Sequence, residues 1–449
     1  MNRALRLGYE GVAQLARAVA RVAPESDHKL VATFAARRGI VGRYERFERD
    51  RSRALLWMHA PSVGEGLQAR PVLNLARRRQ PGLQLAYTYF SPSARTFAAS
   101  LDVDFHDVLP FDAAADMRRA LRALSPTALV FSKLDVWPTL AGEAVARGTR
   151  LGLVSATLAA GSSRRSRGAG ALLREAYGRL DRVGAVSTED ADRLVSLGVP
   201  ARRITVTGDT RYDQVWERAS TVARSEALLA PLRSTQPTLV AGSTWPADEA
   251  VLLPAWQAVA RRHPGVRLVI APHEPEPRHL ASIEAWAASA GLSLTRIGAA
   301  TAPVTGLEDE RVDGAPAVVK PGTVAERTSE VILVDRTGIL GDVYSIGQLA
   351  FVGGAFHAAG LHSVLEPAAF GLPVIFGPRH AASRDARMLL DADAALALPD
   401  RAALESTLES WARGDSQWRT AGANARHVVH RGLGAAERSW SLVAELLEE

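Results

Sequence analysis

Short apolar runs alternate with helix-length segments along most of this chain, and the alternation runs through twice. Ala54–Met58, Gln84–Tyr89, Ala128–Phe131, Leu151–Val154 and Arg182–Val186 read as buried strands. Between them lie helical patterns such as Leu67–Arg79, Ala113–Leu124 and Ala171–Leu180. The order then restarts with Thr238–Ala241, Val266–Ile270, Val331–Val334, Leu349–Val352 and Pro373–Ile375. Strands that alternate with helices form parallel sheets covered on both faces. The expected fold class is therefore α/β, with two Rossmann-like domains facing a central cleft and ligands at the carboxyl ends of the strands. Residues 54–215 form the first domain and 236–415 the second, joined over 216–235 by a bridging helix at Trp216–Leu229. A basic segment, 1–53, precedes them, and helices over 416–449 are expected to cross back onto the first domain. Ile297 to about Arg327 is rich in Gly, Pro, Ala, Thr and charge, and reads as a loop or poorly ordered insertion.

With 449 residues the chain has room for two domains that each bury a core. It has no cysteine, which removes disulfides, thiolate metal sites and cysteine nucleophiles. Arginines recur through the N-terminus in place of a signal-peptide pattern, and no apolar run is long enough to span a bilayer. Residues 1–53 carry twelve Lys/Arg against six Asp/Glu, which is the whole of the chain's net charge of +6. Such a segment fits an anionic partner. No aromatic RNA-binding signature accompanies it, so a membrane surface is the expected partner and nucleic acid is not. From Asn2 to about Ala23 the polar residues Arg3, Arg6, Glu10, Gln14, Arg17 and Arg21 face away from Leu5, Tyr9, Val12, Leu15, Val19 and Val22. That helix either lies in a bilayer interface or packs on its own domain.

Chemistry gathers at the strand ends. After the first strand comes His59-Ala60-Pro61-Ser62-Val63-Gly64-Glu65-Gly66, a small turn into a helix. Glu65 there can take a proton from an acceptor hydroxyl, or merely favour the positive end of the helix dipole. In the second half Gly353-Gly354 ends a strand, His362-Ser363 is expected to open a helix, and Glu366 sits one turn in. Two glycines admit a phosphate or sugar to the backbone, the helix N-terminus favours anions, and Glu366 suits ribose hydroxyls. Gly242-Ser243-Thr244 and Pro272-His273-Glu274 end two further strands, and Arg211 follows Gly208-Asp209-Thr210 at the junction of the halves. His273 is either a ligand-facing group or a satisfied structural histidine. No Asp-x-Asp stands at a strand end, and Asp190-Ala191-Asp192 reads as a helix start. No metal and no other cofactor is expected.

Taken in order, these motifs resemble the transferases of 3-deoxy-D-manno-octulosonic acid (Kdo). The HAxSVGE segment of that family is similar to His59–Glu65, and its SPSG-like turn to Ser91-Pro92-Ser93-Ala94. Its ETELWP segment matches, altered, Lys133-Leu134-Asp135-Val136-Trp137-Pro138. Gly208–Asp213, Ala241–Thr244, Pro272–Glu274, Gly338-Ile339-Leu340 and His362–Ala369 resemble its later motifs.

The resemblance implies a GT-B fold and inverting transfer of Kdo from CMP-Kdo to a lipid A precursor in lipopolysaccharide biosynthesis. The expected place is the cytoplasmic face of the bacterial inner membrane, held there peripherally by the first helix. It implies Glu65 as general base and a donor site of Arg211, Ser243, Thr244, His273, Gly338, Ile339, Leu340, Gly353, Gly354, His362, Ser363 and Glu366. Ser62, Gly64, Lys133, Asp135 and Trp137 fall on the acceptor side. Departures lie mostly there: Lys133 and Asp135 stand where the family has glutamates, and Ser155-Ala156-Thr157 replaces its NAR segment, with Arg164 and Arg165 nearby. Ser363 replaces an asparagine on the donor side. Two other readings stay open: a GT-B enzyme for another nucleotide sugar or acceptor, such as a UDP-sugar transferase or epimerase, and a degenerate homologue that binds nucleotide or membrane without turnover.

Overall fold

The computed structural model describes residues 3–448 except 27, 222–225, 298–329 and 359. The insertion expected after Ile297 lies outside the described residues. Two compact units emerge: residues 1–214 with 432–449, and residues 215–431.

The first unit holds a seven-stranded sheet. Its strands are β1 (Leu55–His59), β2 (Gln84–Tyr89), β3 (Phe105–Val108), β4 (Ala128–Ser132), β5 (Arg150–Ala156), β6 (Arg182–Ala185) and β7 (Ile204–Val206). They run parallel in the order β3-β2-β1-β4-β5-β6-β7. Interior strands β1, β2 and β4 are buried along their whole length, which is why they read as unbroken apolar runs. The edge strands β3 and β7 are short and half-exposed, and carry no such signal. Gly152 in β5 leaves space for the last helix, Ala435–Glu448, since a Cβ there would sit 2.7 Å from Leu446. Trp440, Val443 and Leu446 of that helix join the first unit's core.

The second unit repeats the plan with β8 (Thr238–Thr244), β9 (Arg267–Pro272), β10 (Leu294–Arg296), β11 (Val331–Leu333), β12 (Leu349–Val352), β13 (Val374–Phe376) and β14 (Ala395–Ala397). All are parallel, in the order β10-β11-β9-β8-β12-β13-β14. A 17-residue helix follows the first strand in each unit, Val63–Arg79 and Pro246–Arg262, and each carries a proline at the same place, Pro71 and Pro254. In both sheets the chain changes direction beside the first strand, between β1 and β4 and between β8 and β12. Ligands in open parallel sheets bind outside the carboxyl ends at such a switch.

Three details differ from the sequence reading. His59 is the last residue of β1 and fully buried, not part of the turn. The segment Trp216–Leu229 divides into Arg211–Ser220 and Glu226–Leu229. The helix expected to open at His362 starts only at Leu365 and ends at Ala369, too short to supply an anion-binding terminus.

The N-terminal helix, Arg3–Val22, docks on the first unit by its polar and small residues. Tyr9 donates to Asp112 (2.8 Å), Arg17 pairs with Asp116 (2.8 Å), and Glu10 accepts the amide of Ala114 (3.1 Å). Ala13 and Ala20 are buried, whereas Val12 is 69% and Leu15 66% exposed. Packing and an exposed apolar stripe thus coexist on opposite faces. No helix among the described residues is long and apolar enough to cross a membrane.

Candidate active site

At the switch of the first sheet, Ser62 ends the turn after β1 in an extended conformation, and the helix starts at Val63. Ser62-x-x-Glu65 has the spacing of a capping box. The Ser62 hydroxyl makes no bond to the helix backbone, however, and donates instead to the Glu65 carboxylate. Lys133, immediately after β4, reaches the other carboxylate oxygen at 3.2 Å, and the Ser132 hydroxyl donates to the Glu65 carbonyl (3.1 Å). Burial raises the carboxyl's pKa, but the Ser62 hydroxyl and the Lys133 charge outweigh it, and the net shift is downward. Glu65 is thereby held as a carboxylate, able to accept a proton. Gly64 is open, while Gly66 lets the helix settle on β2, since a Cβ would meet Phe97 and the Tyr87 hydroxyl.

Lys133 sits at φ 66°, a conformation that costs a non-glycine residue about 1–3 kcal/mol. Its amide is tied to Val154 O (2.8 Å). Behind the pair, the Trp137 indole N–H donates to both His59 Nε2 (3.1 Å) and Asp135 Oδ2 (3.0 Å), and His59 Nδ1 meets Thr88 Oγ1 (3.0 Å). The Trp137 ring stacks on Phe90 at 5.2 Å. Arg164 lies 3.7 Å from Asp135, whereas Thr157 donates to Asp190 (3.3 Å). Arg211, also in this unit, is paired with Asp209 at 2.7 Å.

At the switch of the second sheet, β8 bulges at Ser243 (φ 54°) and β12 ends in Gly353-Gly354. Both glycines are required by close packing: a Cβ on Gly353 would run into the Ser243 carbonyl, and one on Gly354 into the Gly360 carbonyl. Their amides are committed. Gly353 N–H donates to Gly242 O (2.9 Å) and Gly354 N–H to Asp248 (2.8 Å), so the diglycine shapes the loop and does not offer free donors to a phosphate. Buried Asp248 also accepts the amides of Trp245 (2.9 Å) and Phe356 (3.1 Å). Thr244 donates to Glu249 (2.7 Å), which is held in turn by His279 (2.9 Å).

Around this turn the rings of Trp245, His273, His357 and His362 gather. Trp245 lies flat on His357 (4.7 Å, 8°), and His273 and His362 are 4.3 Å apart. Ser363 is exposed beside them. Glu366, in the short helix, is half-buried; burial pushes its carboxyl up, the charge of Arg218 works against this, and Asp342 adds to it. Arg218 itself binds Asp342 (2.7 Å) and Gly338 O (2.9 Å), and so fixes the loop Gly338-Ile339-Leu340 beside Glu366. The structure therefore assembles His273, Ser243, Thr244, Gly353, Gly354 and His362 in one place, and Gly338–Leu340 with Glu366 around Arg218. Sequence reasoning missed Trp245, Asp248, His357 and Arg218. The Trp245 position next to the Gly-Ser-Thr strand end was the available signal for two of them.

Residues 34–214 match the family model described as 3-deoxy-D-manno-octulosonic-acid transferase (kdotransferase). The chain is 31% identical over 371 residues to the 3-deoxy-D-manno-octulosonic acid transferase of Bordetella pertussis, covering 79% of each. It is 26% identical over 400 residues to that of Haemophilus influenzae, covering 88% of this chain and 87% of the relative. In structure it resembles the UDP-GlcNAc 2-epimerase of Neisseria meningitidis bound to UDP-GlcNAc, with a TM-score of 0.61 at 12% identity over 88% of this chain and 99% of that one. That likeness is one of fold alone, and the fold is GT-B-like.

Proposed function

Because the chain belongs to the 3-deoxy-D-manno-octulosonic acid transferase family of glycosyltransferases, we propose that it moves Kdo from CMP-Kdo to a lipid A precursor with inversion, Glu65 acting as general base. The observation that carries this reading is the Glu65 carboxylate, kept ionised by Ser62 and Lys133 at the switch of the first sheet. An acceptor hydroxyl gives its proton to Glu65 as its oxygen bonds to the anomeric carbon of Kdo. The bond from that carbon to the phosphate oxygen breaks, and the electron pair leaves with CMP. Ser62, Gly64, Lys133, Asp135 and Trp137 line the acceptor side of this scheme. Ser243, His273, Gly338–Leu340, His362, Ser363 and Glu366 hold the donor in the second unit, while Thr244, Gly353 and Gly354, whose polar groups are committed within the protein, shape the loops around it. Arg211 keeps a donor-facing role only if it leaves Asp209, which makes it the weakest member of the set.

The exposed apolar stripe of the first helix, next to the basic excess of residues 1–53, supports peripheral attachment to an anionic membrane, at the cytoplasmic face of the inner membrane. Lys133 in place of an acid is the one observation that favours a different acceptor. Mass spectrometry of a tetraacylated lipid A precursor incubated with protein and CMP-Kdo tests the reading. The expected result is a product heavier by Kdo with CMP released, and thermal stabilisation by CMP but not UDP. Stabilisation by UDP alone overturns the donor; CMP-Kdo consumption only with some other acceptor overturns the acceptor.

A further inference from the structure

Trp245 caps the helix Pro246–Arg262, and its indole N–H donates to His362 Nε2 at 2.9 Å. An indole nitrogen is a donor only, so Nε2 of His362 must accept, and the neutral imidazole must carry its proton on Nδ1. Protonating Nε2 would set two N–H groups against each other. The indole cannot turn away easily. Its backbone amide is held by buried Asp248, the carboxylate that also grips Gly354 and Phe356, and its ring packs against those of His357 (4.7 Å) and His273 (4.9 Å).

The first unit contains the same pairing, Trp137 Nε1 to His59 Nε2 at 3.1 Å. There the other nitrogen is committed to Thr88 Oγ1 and His59 is fully buried. His362 differs at that point. Among the described residues its Nδ1 has no hydrogen-bond partner, and it is not a buried unsatisfied atom. The device that makes a closed structural histidine in one unit leaves an open donor in the other. Trp245 also lines a cavity of about 410 Å³ together with Glu249, Glu274, Glu276, Arg278 and His279, and the carboxylates there disfavour a phosphate.

We infer that Trp245 is a positioning residue that fixes His362 as the neutral Nδ1–H tautomer, so that the second unit offers an uncharged hydrogen-bond donor to an anionic oxygen of the bound nucleotide. The ligand part of this inference rests on the donor reading above; the tautomer part does not. Burial lowers the basicity of His362 and so does neighbouring His273, while Asp248 opposes them. The groups that face the ring are thus His273 from the end of β9, Asp248 from the helix after β8, and Trp245 itself. An uncharged donor holds the phosphate without needing to take up a proton, and it lets CMP leave without a full counter-charge.

Long-range proton–nitrogen NMR on the full chain with labelled histidine tests it, His362 being assigned by its loss in His362→Gln. The wild type is expected to show a protonated Nδ1 and an accepting Nε2 near pH 8. Trp245→Phe keeps an aromatic ring but removes the donor. It is expected to move the tautomer towards Nε2–H and to weaken CMP binding about fivefold near pH 8. An Nε2–H tautomer in the wild type overturns the inference without recourse to any variant, as does an unchanged tautomer in folded Trp245→Phe. If CMP binds yet leaves the His362 signals in place, the donor reading falls and the assigned ligand with it, whereas the tautomer is judged on its own spectrum.

Discussion

Glu65 and Lys133 meet at 3.2 Å, and for the proposed role of Glu65 as base the pairing decides at which pH it is available. The folded carboxyl titrates below its ordinary value of 4.5, since Ser62 and Lys133 together outweigh burial. The stabilisation from this pairing is therefore fully present above the unfolded value and is lost as pH falls through the folded one. Lys133 is well exposed, so solvent screens the pair and its worth to stability is small. The effect on catalysis is larger. Lys133→Met is expected to raise the Glu65 carboxyl and move the acid limb of the kcat/KM profile to higher pH. A limb that stays where it was contradicts the pairing. At this scale the sequence exposed Glu65 through its turn and the departure at Lys133 through its motif. It did not show that one answers the other, because β1 and β4 are adjacent only in the sheet.

The N-terminal helix shows what an element's sequence leaves open. Its stripe was plain, but the side that docks is chosen by Asp112 and Asp116, which lie far along the chain and carry no mark of their purpose. Asp112 accepts Tyr9 and the amides of Thr139 and Leu140, and burial pushes its carboxyl up to about 7 in spite of these donors. The apolar face left over includes Val12, Leu15 and Val22. Deleting the helix would also take Tyr9 from Asp112 and Arg17 from Asp116, so point changes are the cleaner probe. Val12→Asp with Leu15→Asp is expected to abolish most co-sedimentation with vesicles rich in anionic lipid while leaving the melting temperature unchanged, because those side chains bury little. Undiminished sedimentation would remove the helix from membrane binding.

Over the whole molecule, two parallel sheets each place their chemistry at a switch point. Interior strands were legible because both faces are buried; β3, β7, β10 and β14 were not, being short and partly exposed. Three of the five described non-glycine residues at positive φ, Lys133, Ser155 and Ser243, lie at or near the carboxyl ends of β4, β5 and β8, the ends at which open parallel sheets bind ligands. The glycine and histidine signals at Gly353, Gly354 and His362 were legible too, but the reason for the glycines was not: they serve packing against Ser243 and Gly360. Trp245 was less legible, because a tryptophan after a strand suits a core equally well. The central claim is that Glu65 takes the acceptor's proton during Kdo transfer. Its most direct test is Glu65→Gln, followed by CMP release from CMP-Kdo with lipid A precursor and by CMP affinity on the same preparation. The expected result is a fall in kcat of about 10²–10⁴-fold with CMP affinity unchanged. Turnover near the wild-type rate in the Gln variant would contradict it.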